Sequence, residues 1–486
     1  MKESIPKEVL EILESLHSSG FEGYLVGGCV RDLILKNSPK DWDITTNAIP
    51  EEIQSIFPDS FYENSFGTVG VKTRAEDPKY SVVEITPYRT ETTYSDNRHP
   101  DEVSFSKTID EDLKRRDFTI NAIAYNPLND EVIDLFEGQK DIDKGLINTV
   151  GEASERFKED SLRIIRAVRF ASELSFTISS EIISAVSTLS PLLKNVSRER
   201  IGEEFRKIIM SNDPVMGLSL AQKLDITDYL SPVLRETFGV EQNKKAHKYD
   251  VWEHLLHSLE HAANKDYSLE IRLAALFHDI GKPRSKRVDK TGKTTFFGHE
   301  VIGARMTEEV LNDLKFSRET VKKAVKLVRW HMFFSDTEEV TLSAVRRLVA
   351  NVGKEDIWDL INIRKCDRIG SGRPKEEPYR LRKFEAMIEQ VISDPISVSM
   401  LKMNGDIMLE KFHVKPGPKI GWVLHALLEE VLDDPKKNDY DYLHTKTEEL
   451  LSLDDKTLQE LGKSGKSKQE EKEIDQLKDI NKKFKI

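Results

Sequence analysis

The spacing of apolar and polar residues changes along the chain near residue 150. Before it, short runs rich in β-branched residues, such as residues 70–74 and 80–88, predict strands separated by turns. After Gly151, apolar residues recur at the spacing of one helix face, as in residues 157–171. The pattern therefore predicts an α/β head, with a mixed sheet and flanking helices, followed by largely all-α regions.

A glycine turn follows the first apolar run. Residues 24–26 lead into Gly27 and Gly28 and then into an amphipathic segment with Arg31 and Asp32. A strand, a glycine turn and a helix in this order can place backbone N–H groups around a phosphate. A tight turn without a ligand is the alternative for the glycine pair alone.

Carboxylates follow this turn. Asp41 and Asp43 lie two positions apart in a strand-like stretch, so alternation directs both side chains to one face. Two anionic oxygen ligands beside a phosphate cradle suit Mg²⁺ and in-line nucleotidyl transfer. Glu84 lies on the polar face of a later predicted strand. It would either join this site as a third carboxylate or face solvent.

Two later segments, residues 115–116 and 160–166, carry side chains that suit nucleotide binding. Arg115 and Arg116 present planar donor forks that suit a triphosphate. Asp160 and Arg163 lie one helical turn apart beside a predicted core stripe, and Arg166 continues the same edge. Asp160 and Arg163 would either pair with each other or present an acceptor and donors to a base edge.

Histidines and carboxylates between residues 251 and 367 form a second set. Its members are His254, His278, Asp279, His299, His331 and Asp367. One such histidine alone is more often a helix-surface residue, but imidazole and carboxylate ligands on several helices are typical of a metal pocket in a helical domain. His257 and His261 compete with His254 for the first ligand position, and the Trp-Glu-His context favours His254.

Composition narrows the class of protein. The chain has 486 residues, enough for several domains, and a formal net charge of −12, so an RNA partner would need a local basic surface. Cys29 and Cys366 are too few for a disulfide framework, which fits a reducing cytosol. The first residues lack a signal-peptide pattern, and no apolar stretch reaches the roughly 20 residues of a membrane span. We expect a cytoplasmic protein with no membrane partner.

The motifs resemble one superfamily. G-G-x-x-R-D and D-x-D within residues 27–43, R-R-D-F-T-x-N-A at residues 115–122 and E-D-x-x-R at residues 159–163 are similar to signatures of class II tRNA nucleotidyltransferases and bacterial poly(A) polymerases. The resemblance implies that Asp41 and Asp43 hold the catalytic Mg²⁺, and that Asp160 and Arg163 read the base of CTP or ATP. The positions expected to bind nucleotide are Gly27, Gly28, Arg31, Asp32, Arg116, Asp117, Asn121, Asp160, Arg163, Arg166 and Arg169.

The same resemblance extends to residues 89–105, a polar, proline-containing segment predicted to be an irregular, mobile loop. Members of the family that add adenosine carry a flexible loop here. The second set resembles an HD-type phosphohydrolase domain, with the pattern H…HD…H…H…D. This implies a metal-activated water, with Lys282 near the phosphate and His299 and His331 at a second metal position or beside the phosphate. We expect Ni²⁺ or Mn²⁺, although some members keep the domain only as a structural body.

Five regions are predicted. They are a nucleotidyltransferase head (1–150), a helical neck that selects the nucleotide and binds RNA (151–240), an HD-type domain (241–385), a helical tail (386–461) and a charged, frayed end with at most a terminal helix (462–486). The expected function is addition of cytidine and adenosine to tRNA 3′ ends from CTP and ATP. The alternatives are a poly(A) polymerase or an enzyme adding only the terminal adenosine, an HD-domain hydrolase with an accessory head, and a non-catalytic RNA-binding protein.

Overall fold

The structure is a computed structural model of the whole chain. It describes residues 1–62, 67–75, 77, 80–91, 103–242, 248–288, 290, 294–333, 340–393 and 398–484. The chain divides into two compact units, Met1–Ala324 and Val325–Ile486. Within the described ranges, no helix has both the length and the apolar character needed to cross a bilayer.

Strands are concentrated at the start of the first unit. In chain order they are β1 (Gly23–Val26), β2 (Asp43–Thr46), β3 (Ser60–Tyr62), β4 (Val69–Lys72), β5 (Val82–Pro87), β6 (Arg89–Glu91), β7 (Val103–Phe105), β8 (Ile123–Asn126), β9 (Glu131–Asp134), β10 (Leu146–Ile147), β11 (Thr177–Ile178), β12 (Arg287–Val288) and β13 (Thr294–Thr295). Within the described residues, seven of them form one sheet in the order β3-β4-β5-β2-β1-β8-β9. Only β2 and β5 pair in parallel there, which confirms the predicted mixed sheet.

The burial pattern explains the order of the central strands. All four residues of β1 are buried, as expected for an apolar run in the middle of a sheet. In β5, Val83 and Ile85 are buried whereas Glu84 is exposed, so the strand alternates as predicted. The register places Glu84 beside Asp43 of β2. Residues paired in this way project to the same face of the sheet.

The segment at residues 89–105 begins and ends in strands. β6 pairs antiparallel with β7, with Arg89 opposite Phe105, and Ser106 N donates to Tyr88 O at 2.7 Å. The prediction of an irregular segment is therefore wrong at both ends, where Val103 and Phe105 are residue types that favour strands. Residues 92–102 lie outside the described residues.

Helices dominate the first unit after the sheet, as predicted. Those that begin before residue 325 are α1 (Lys7–Ser18), α2 (Gly28–Ile34), α3 (Pro50–Ile56), α4 (Ile109–Lys114), α5 (Gly138–Lys144), α6 (Ala153–Glu159), α7 (Arg163–Leu174), α8 (Ser180–Leu189), α9 (Arg198–Met210), α10 (Pro214–Lys223), α11 (Thr227–Leu230), α12 (Pro232–Arg235), α13 (Val251–Asn264), α14 (Leu269–Phe277), α15 (Lys282–Ser285), α16 (His299–Asp313) and α17 (Arg318–Trp330). A capping box starts α13, since Glu253 N donates to Asp250 Oδ1 at 2.8 Å and Asp250 N donates to Glu253 Oε2 at 3.3 Å.

All the regular elements among the described residues of the second unit are helices. Its helices are α18 (Leu342–Val352), α19 (Ile357–Gly370), α20 (Tyr379–Ser393), α21 (Gly405–Lys411), α22 (Pro418–Asp433), α23 (Tyr440–Leu451) and α24 (Asp455–Phe484). Short 3₁₀ turns across the chain cover Lys2–Ser4, Thr119–Asn121, Ser190–Asn195, Val398–Met400 and Pro435–Lys437. One apolar cluster surrounds α22, with Val423, Leu427 and Val431 fully buried.

The charged C-terminal segment belongs to the long helix α24, so the terminal helix allowed by the prediction is present and the frayed linker is not. α24 packs on α22 through Gly462 and Gly465, both buried. A Cβ atom on Gly462 would lie 2.7 Å from Trp422 Cα, and one on Gly465 would lie 2.2 Å from His425 O. The two glycines therefore let the helix backbones approach closely.

This packing predicts opposite effects for two glycine-to-alanine changes. Gly465→Ala is expected to lower the free energy of unfolding by about 1–3 kcal/mol, because the new methyl group overpacks the contact with α22. The matched control is Gly421→Ala, since a Cβ atom there meets nothing within 4 Å. It is expected to raise stability by up to about 1 kcal/mol, because alanine is the better helix former. Urea unfolding followed by circular dichroism compares the two, and equal midpoints would contradict the contact.

Candidate active site and candidate metal centre

The glycine turn meets an arginine and an aspartate. Gly27 has φ +79°, between the end of β1 and the start of α2. A Cβ atom on Gly27 would lie 3.2 Å from Nη1 of Arg116 and 3.9 Å from Oδ2 of Asp43. Only glycine suits this backbone conformation so close to both side chains. The predicted strand, turn and helix are confirmed, and three separate motifs converge here.

Asp43 begins β2, and Asp41 precedes the strand. Burial and the nearby Asp41 carboxylate raise the pKa of Asp43 to about 6, against the opposing effect of Arg116. A bound cation would relieve this repulsion, and hard oxygen ligands suit Mg²⁺. Glu84 projects from the neighbouring strand beside Asp43, so the structure brings the predicted third carboxylate to the same face.

A buried aspartate that we did not single out from the sequence holds both arginines of the doublet. Asp112 accepts from Nη2 of Arg116 at 3.0 Å and from Nε of Arg115 at 3.0 Å. Burial alone would raise the pKa of Asp112, but the two guanidinium groups lower it. The available signal was the spacing of three and four residues from Asp112 on α4 to the two arginines that follow the helix. Asp112 thus fixes the position of Arg116 beside Gly27.

A second network links two motifs that are far apart in sequence. Arg31 donates from Nη1 to Asn121 Oδ1 at 2.9 Å and from Nε to Asp32 Oδ1 at 3.0 Å. Arg31 and Asn121 are both buried. The G-G-x-x-R-D and R-R-D-F-T-x-N-A motifs are therefore one packed structure.

Asp117 connects this structure to α7. Its Oδ2 accepts from Arg166 Nε at 2.8 Å, and its Oδ1 accepts from Phe118 N at 2.8 Å. Burial opposes ionisation, but Arg166 and Arg163 bring the pKa of Asp117 down to about 2. The remaining predicted arginine, Arg169, lies with its Nε 2.7 Å from Oε2 of Glu204.

Asp160 and Arg163 pair with other side chains, and the expectation that both lie on one helix is wrong. α6 ends at Glu159, and Asp160 is extended, with its Oδ1 accepting from Leu162 N at 3.1 Å. Arg200, which the sequence did not single out, donates from Nη2 to Asp160 Oδ2 at 2.6 Å. Arg163 is buried and donates from Nη1 to Glu159 Oε2 at 2.5 Å.

Four of the predicted HD ligands come together in the first unit. Nε2 of His254 lies 2.9 Å from Nε2 of His278 and 3.1 Å from Oδ2 of Asp279. His278 Nε2 is 3.3 Å from the same oxygen, and His299 Nε2 is 3.1 Å from Asp279 Oδ1. Metal–ligand bonds of about 2.0–2.2 Å let three atoms at such separations share one ion. These residues are called the HD cluster below.

Backbone carbonyls orient two of the imidazoles. His278 Nδ1 lies 2.9 Å from Ala275 O, and His299 Nδ1 lies 2.8 Å from Phe296 O. Each Nδ1 therefore carries the proton in the neutral ring, which leaves the Nε2 lone pair directed at the cluster. Nε2 of His254, 2.9 Å from Nε2 of His278, would offer a further nitrogen to a bound cation.

A lysine accompanies the cluster. Lys282 Nζ lies 2.5 Å from Asp279 Oδ2 and donates to Gln242 Oε1 at 2.5 Å. Burial alone would raise the pKa of Asp279, but Lys282 and His278 hold it well below its usual range. The carboxylate is thus ionised and ready to bind a metal. Gln242, buried beside Lys282, was not predicted.

The other candidate metal ligands include His257, His331 and Asp367. His254 is buried, whereas His257 lies on the surface with Nδ1 3.1 Å from Glu260 Oε2, which supports the choice of His254. His331 and Asp367 belong to the second unit. His331 is buried there with Nδ1 2.7 Å from Val328 O, the same arrangement as the two imidazoles above. Their assignment to the metal site stays a prediction.

Three family models match successive parts of the chain. Residues 23–148 match the poly A polymerase head domain, residues 175–237 the probable RNA and SrmB-binding site of polymerase A, and residues 251–376 the HD domain. Their order agrees with the predicted order of head, neck and HD-type regions.

Whole-chain similarity points to one family. The chain is 44% identical over 222 residues to the CCA-adding enzyme of Lactiplantibacillus plantarum, which is 45% of this chain and 53% of that enzyme. It is 30% identical over 445 residues to the CCA-adding enzyme of Streptococcus pneumoniae serotype 19F, covering 90% and 96%. The match thus spans about half the length of the first relative and almost all of the second.

A solved structure is similar to this chain over almost its whole length. The crystal structure of the Bacillus stearothermophilus CCA-adding enzyme in complex with CTP is 26% identical, with a TM-score of 0.64, and the match covers 91% of this chain and 96% of that one. The near-complete match to the Streptococcus pneumoniae enzyme, the order of the three domain models and the shared fold agree on one assignment. The chain belongs to the family of CCA-adding enzymes.

Proposed function

We propose that this protein adds CCA to the 3′ ends of tRNA, using CTP and ATP. The observation that carries the proposal is the meeting of Gly27, Asp43 and Arg116, which places an open backbone turn, a carboxylate and a guanidinium group within 4 Å of one point. Membership of the CCA-adding family supports this product over the poly(A) and adenosine-only alternatives. Its location in the cytoplasm stays a prediction.

Each residue of the head site has its own role in the proposed nucleotidyl transfer. Asp41 and Asp43 would hold Mg²⁺, which supplies activation of the RNA 3′-hydroxyl and charge neutralisation at the departing pyrophosphate. Arg116, positioned by Asp112, binds the triphosphate beside the Gly27 turn. The 3′-oxygen then forms a bond to the α-phosphorus while the bond to pyrophosphate breaks. Glu84 lies on the same face as Asp43, and it assists metal binding or orients the RNA 3′-hydroxyl.

Base selection is assigned to Asp160 and Arg163. Cytosine and adenine both present an amino donor beside a ring-nitrogen acceptor on the pairing edge, so one carboxylate and one guanidinium group can accept both and reject uracil and guanine. In the present structure Arg163 donates to Glu159, and Asp160 accepts from Arg200. Nucleotide binding would therefore require Arg163 to exchange a protein acceptor for the base.

A primer assay tests the function directly. The protein is incubated with tRNA lacking CCA, tRNA ending in CC, and complete tRNA, with labelled CTP and ATP alone and together. We expect two cytidines and one adenosine on the first, one adenosine on the second, and no addition to the third. Long adenosine tails, or addition of adenosine only, would overturn the proposal.

Asp43→Ala is expected to reduce nucleotide incorporation by about 10³-fold or more, because the loss of a metal ligand costs several kcal/mol of transition-state stabilisation. The matched control is Asp59→Ala, an exposed aspartate of the head. Initial rates with CTP and with ATP give the comparison, and the circular dichroism spectrum checks folding. Near-normal transfer by the Asp43 variant would show that the site is elsewhere.

Arg163→Ala and Asp160→Asn are expected to raise incorporation of UTP and GTP relative to CTP and ATP by about 5- to 150-fold, corresponding to about 1–3 kcal/mol per lost base contact. Triphosphate binding should weaken less. Arg206→Ala serves as control, because Arg206 pairs with Glu203 on the surface of α9. Unchanged fidelity in both test variants would remove these residues from base selection.

A second function is proposed for the HD cluster, from the convergence of His254, His278, Asp279 and His299. We propose a metal-dependent phosphohydrolase that acts as a phosphatase or on 2′,3′-cyclic phosphates. The imidazole ligands favour Ni²⁺ or Mn²⁺ over Mg²⁺. A bound ion would supply a hydroxide nucleophile near neutral pH, and Lys282 would bind phosphate.

Asp279→Ala is expected to abolish metal binding and hydrolysis of 2′,3′-cyclic AMP while CCA addition continues. In the wild type, the metal content should fall as the pH drops below about 6, since imidazoles must be neutral to bind a metal. Elemental analysis of dialysed protein measures the metal, and product release measures hydrolysis. A wild type with no bound metal and no hydrolysis with Ni²⁺ or Mn²⁺ would reduce this region to a structural body.

A further inference from the structure

Phe297 is an aromatic side chain that lies almost wholly in water. It is 86% exposed, although phenylalanine is among the residue types most often buried. It follows β13 and lies two positions before His299 of the HD cluster. Nothing in the assigned chemistry of that cluster explains an uncovered ring.

The local backbone ties the position of Phe297 to that of His299. Phe296 O accepts from His299 N at 3.2 Å and lies 2.8 Å from His299 Nδ1. Gly298 has φ +77° and closes the turn between them. The turn that directs His299 Nε2 at Asp279 therefore also holds the backbone of Phe297 at the edge of the cluster.

Lys282 brings a positive charge close to the same turn. Lys282 Nζ is 2.5 Å from Asp279 Oδ2 and 5.8 Å from the ring centroid of Phe296, the neighbour of Phe297. A phosphate at the HD cluster would thus lie near the turn that carries Phe297. A nucleotide carries a phosphate and a flat base on one ribose, and bases stack on aromatic side chains with little regard to sequence.

We propose that Phe297 stacks on the base of a nucleotide whose phosphate is hydrolysed at the HD cluster. The inference rests on the phosphohydrolase activity proposed above and adds a base-binding residue to it, for a cyclic-phosphate substrate that is either free or at an RNA 3′ end. In the reaction, water adds to phosphorus, one ring P–O bond breaks, and the leaving ribose oxygen takes a proton. Phe297 does not touch the reacting atoms, so it sets specificity.

The test separates base recognition from hydrolysis. Full-length protein loaded with Mn²⁺ is given 2′,3′-cyclic AMP or its abasic counterpart, methyl riboside 2′,3′-cyclic phosphate. Phe297→Ala is expected to raise KM for the first about tenfold, the scale of losing one stacking aromatic, with kcat and both constants for the abasic substrate unchanged. Calorimetric binding of 3′-AMP should weaken equally, while that of inorganic phosphate should not. Phe297→Tyr should retain wild-type values.

Val288→Ala is the matched control, since Val288 is a second exposed apolar residue, 63% exposed, on β12 of the same hairpin. Equal loss in both variants would indicate a general apolar surface, such as a protein-docking site, and would overturn the proposal. Unchanged 3′-AMP binding by Phe297→Ala, with an active wild type, would overturn this inference alone. A wild type that binds neither 3′-AMP nor phosphate would overturn both the inference and the phosphohydrolase function.

Discussion

Buried arginines lie on α2 and α7, and each of them needs a carboxylate partner. Arg31, Arg163 and Arg169 are buried, and an unpaired guanidinium group in such a position would cost several kcal/mol. Each has a carboxylate partner, in Asp32, Glu159 and Glu204 respectively. Removing one partner would leave a buried charge, so these pairs constrain the whole arrangement of motifs.

One aromatic ring organises these charges in space. Phe170 packs edge-on against Phe118 at 5.5 Å between ring centroids, which joins α7 to the segment after Arg116. The guanidinium carbons of Arg31, Arg166 and Arg169 lie 5.5, 5.5 and 3.8 Å from the centre of the same ring. Cation–π attraction therefore adds to the ion pairs. The proposed triphosphate site thus lies on a framework of paired charges, with Arg116 extending from it toward Gly27.

The elements that the sequence predicted are those whose local signals agree with the packing. The buried run of β1, the turn at Gly27 and the alternation around Glu84 each carry a short-range signal, and the tertiary structure uses it unchanged. Local signals do not predict that Gly27, Asp43 and Arg116 converge, because residues far apart in sequence meet only through the strand order of the sheet. The resemblance of their motifs to one superfamily supplied that prediction.

The failures have physical causes. The Asp160 side chain accepts a hydrogen bond from Leu162 N and so competes with the helix, which spacing alone does not reveal. The C-terminal segment has the composition of a linker, but Gly462 and Gly465 permit close contact with α22. That contact depends on a partner helix about 40 residues earlier in the chain. Composition measures average polarity and does not register such a contact.

The two candidate metal sites offer different sets of ligands. In the head, the ligands are carboxylates whose mutual repulsion raises the pKa of Asp43, and a hard cation relieves that repulsion. In the HD cluster, backbone carbonyls fix the imidazole tautomers, and Lys282 keeps Asp279 ionised before any metal arrives. Such preset nitrogen donors favour a transition metal and leave Mg²⁺ to the carboxylates. If both proposed activities operate, the nucleotidyl-transfer site and the hydrolytic site would not compete for the same ion.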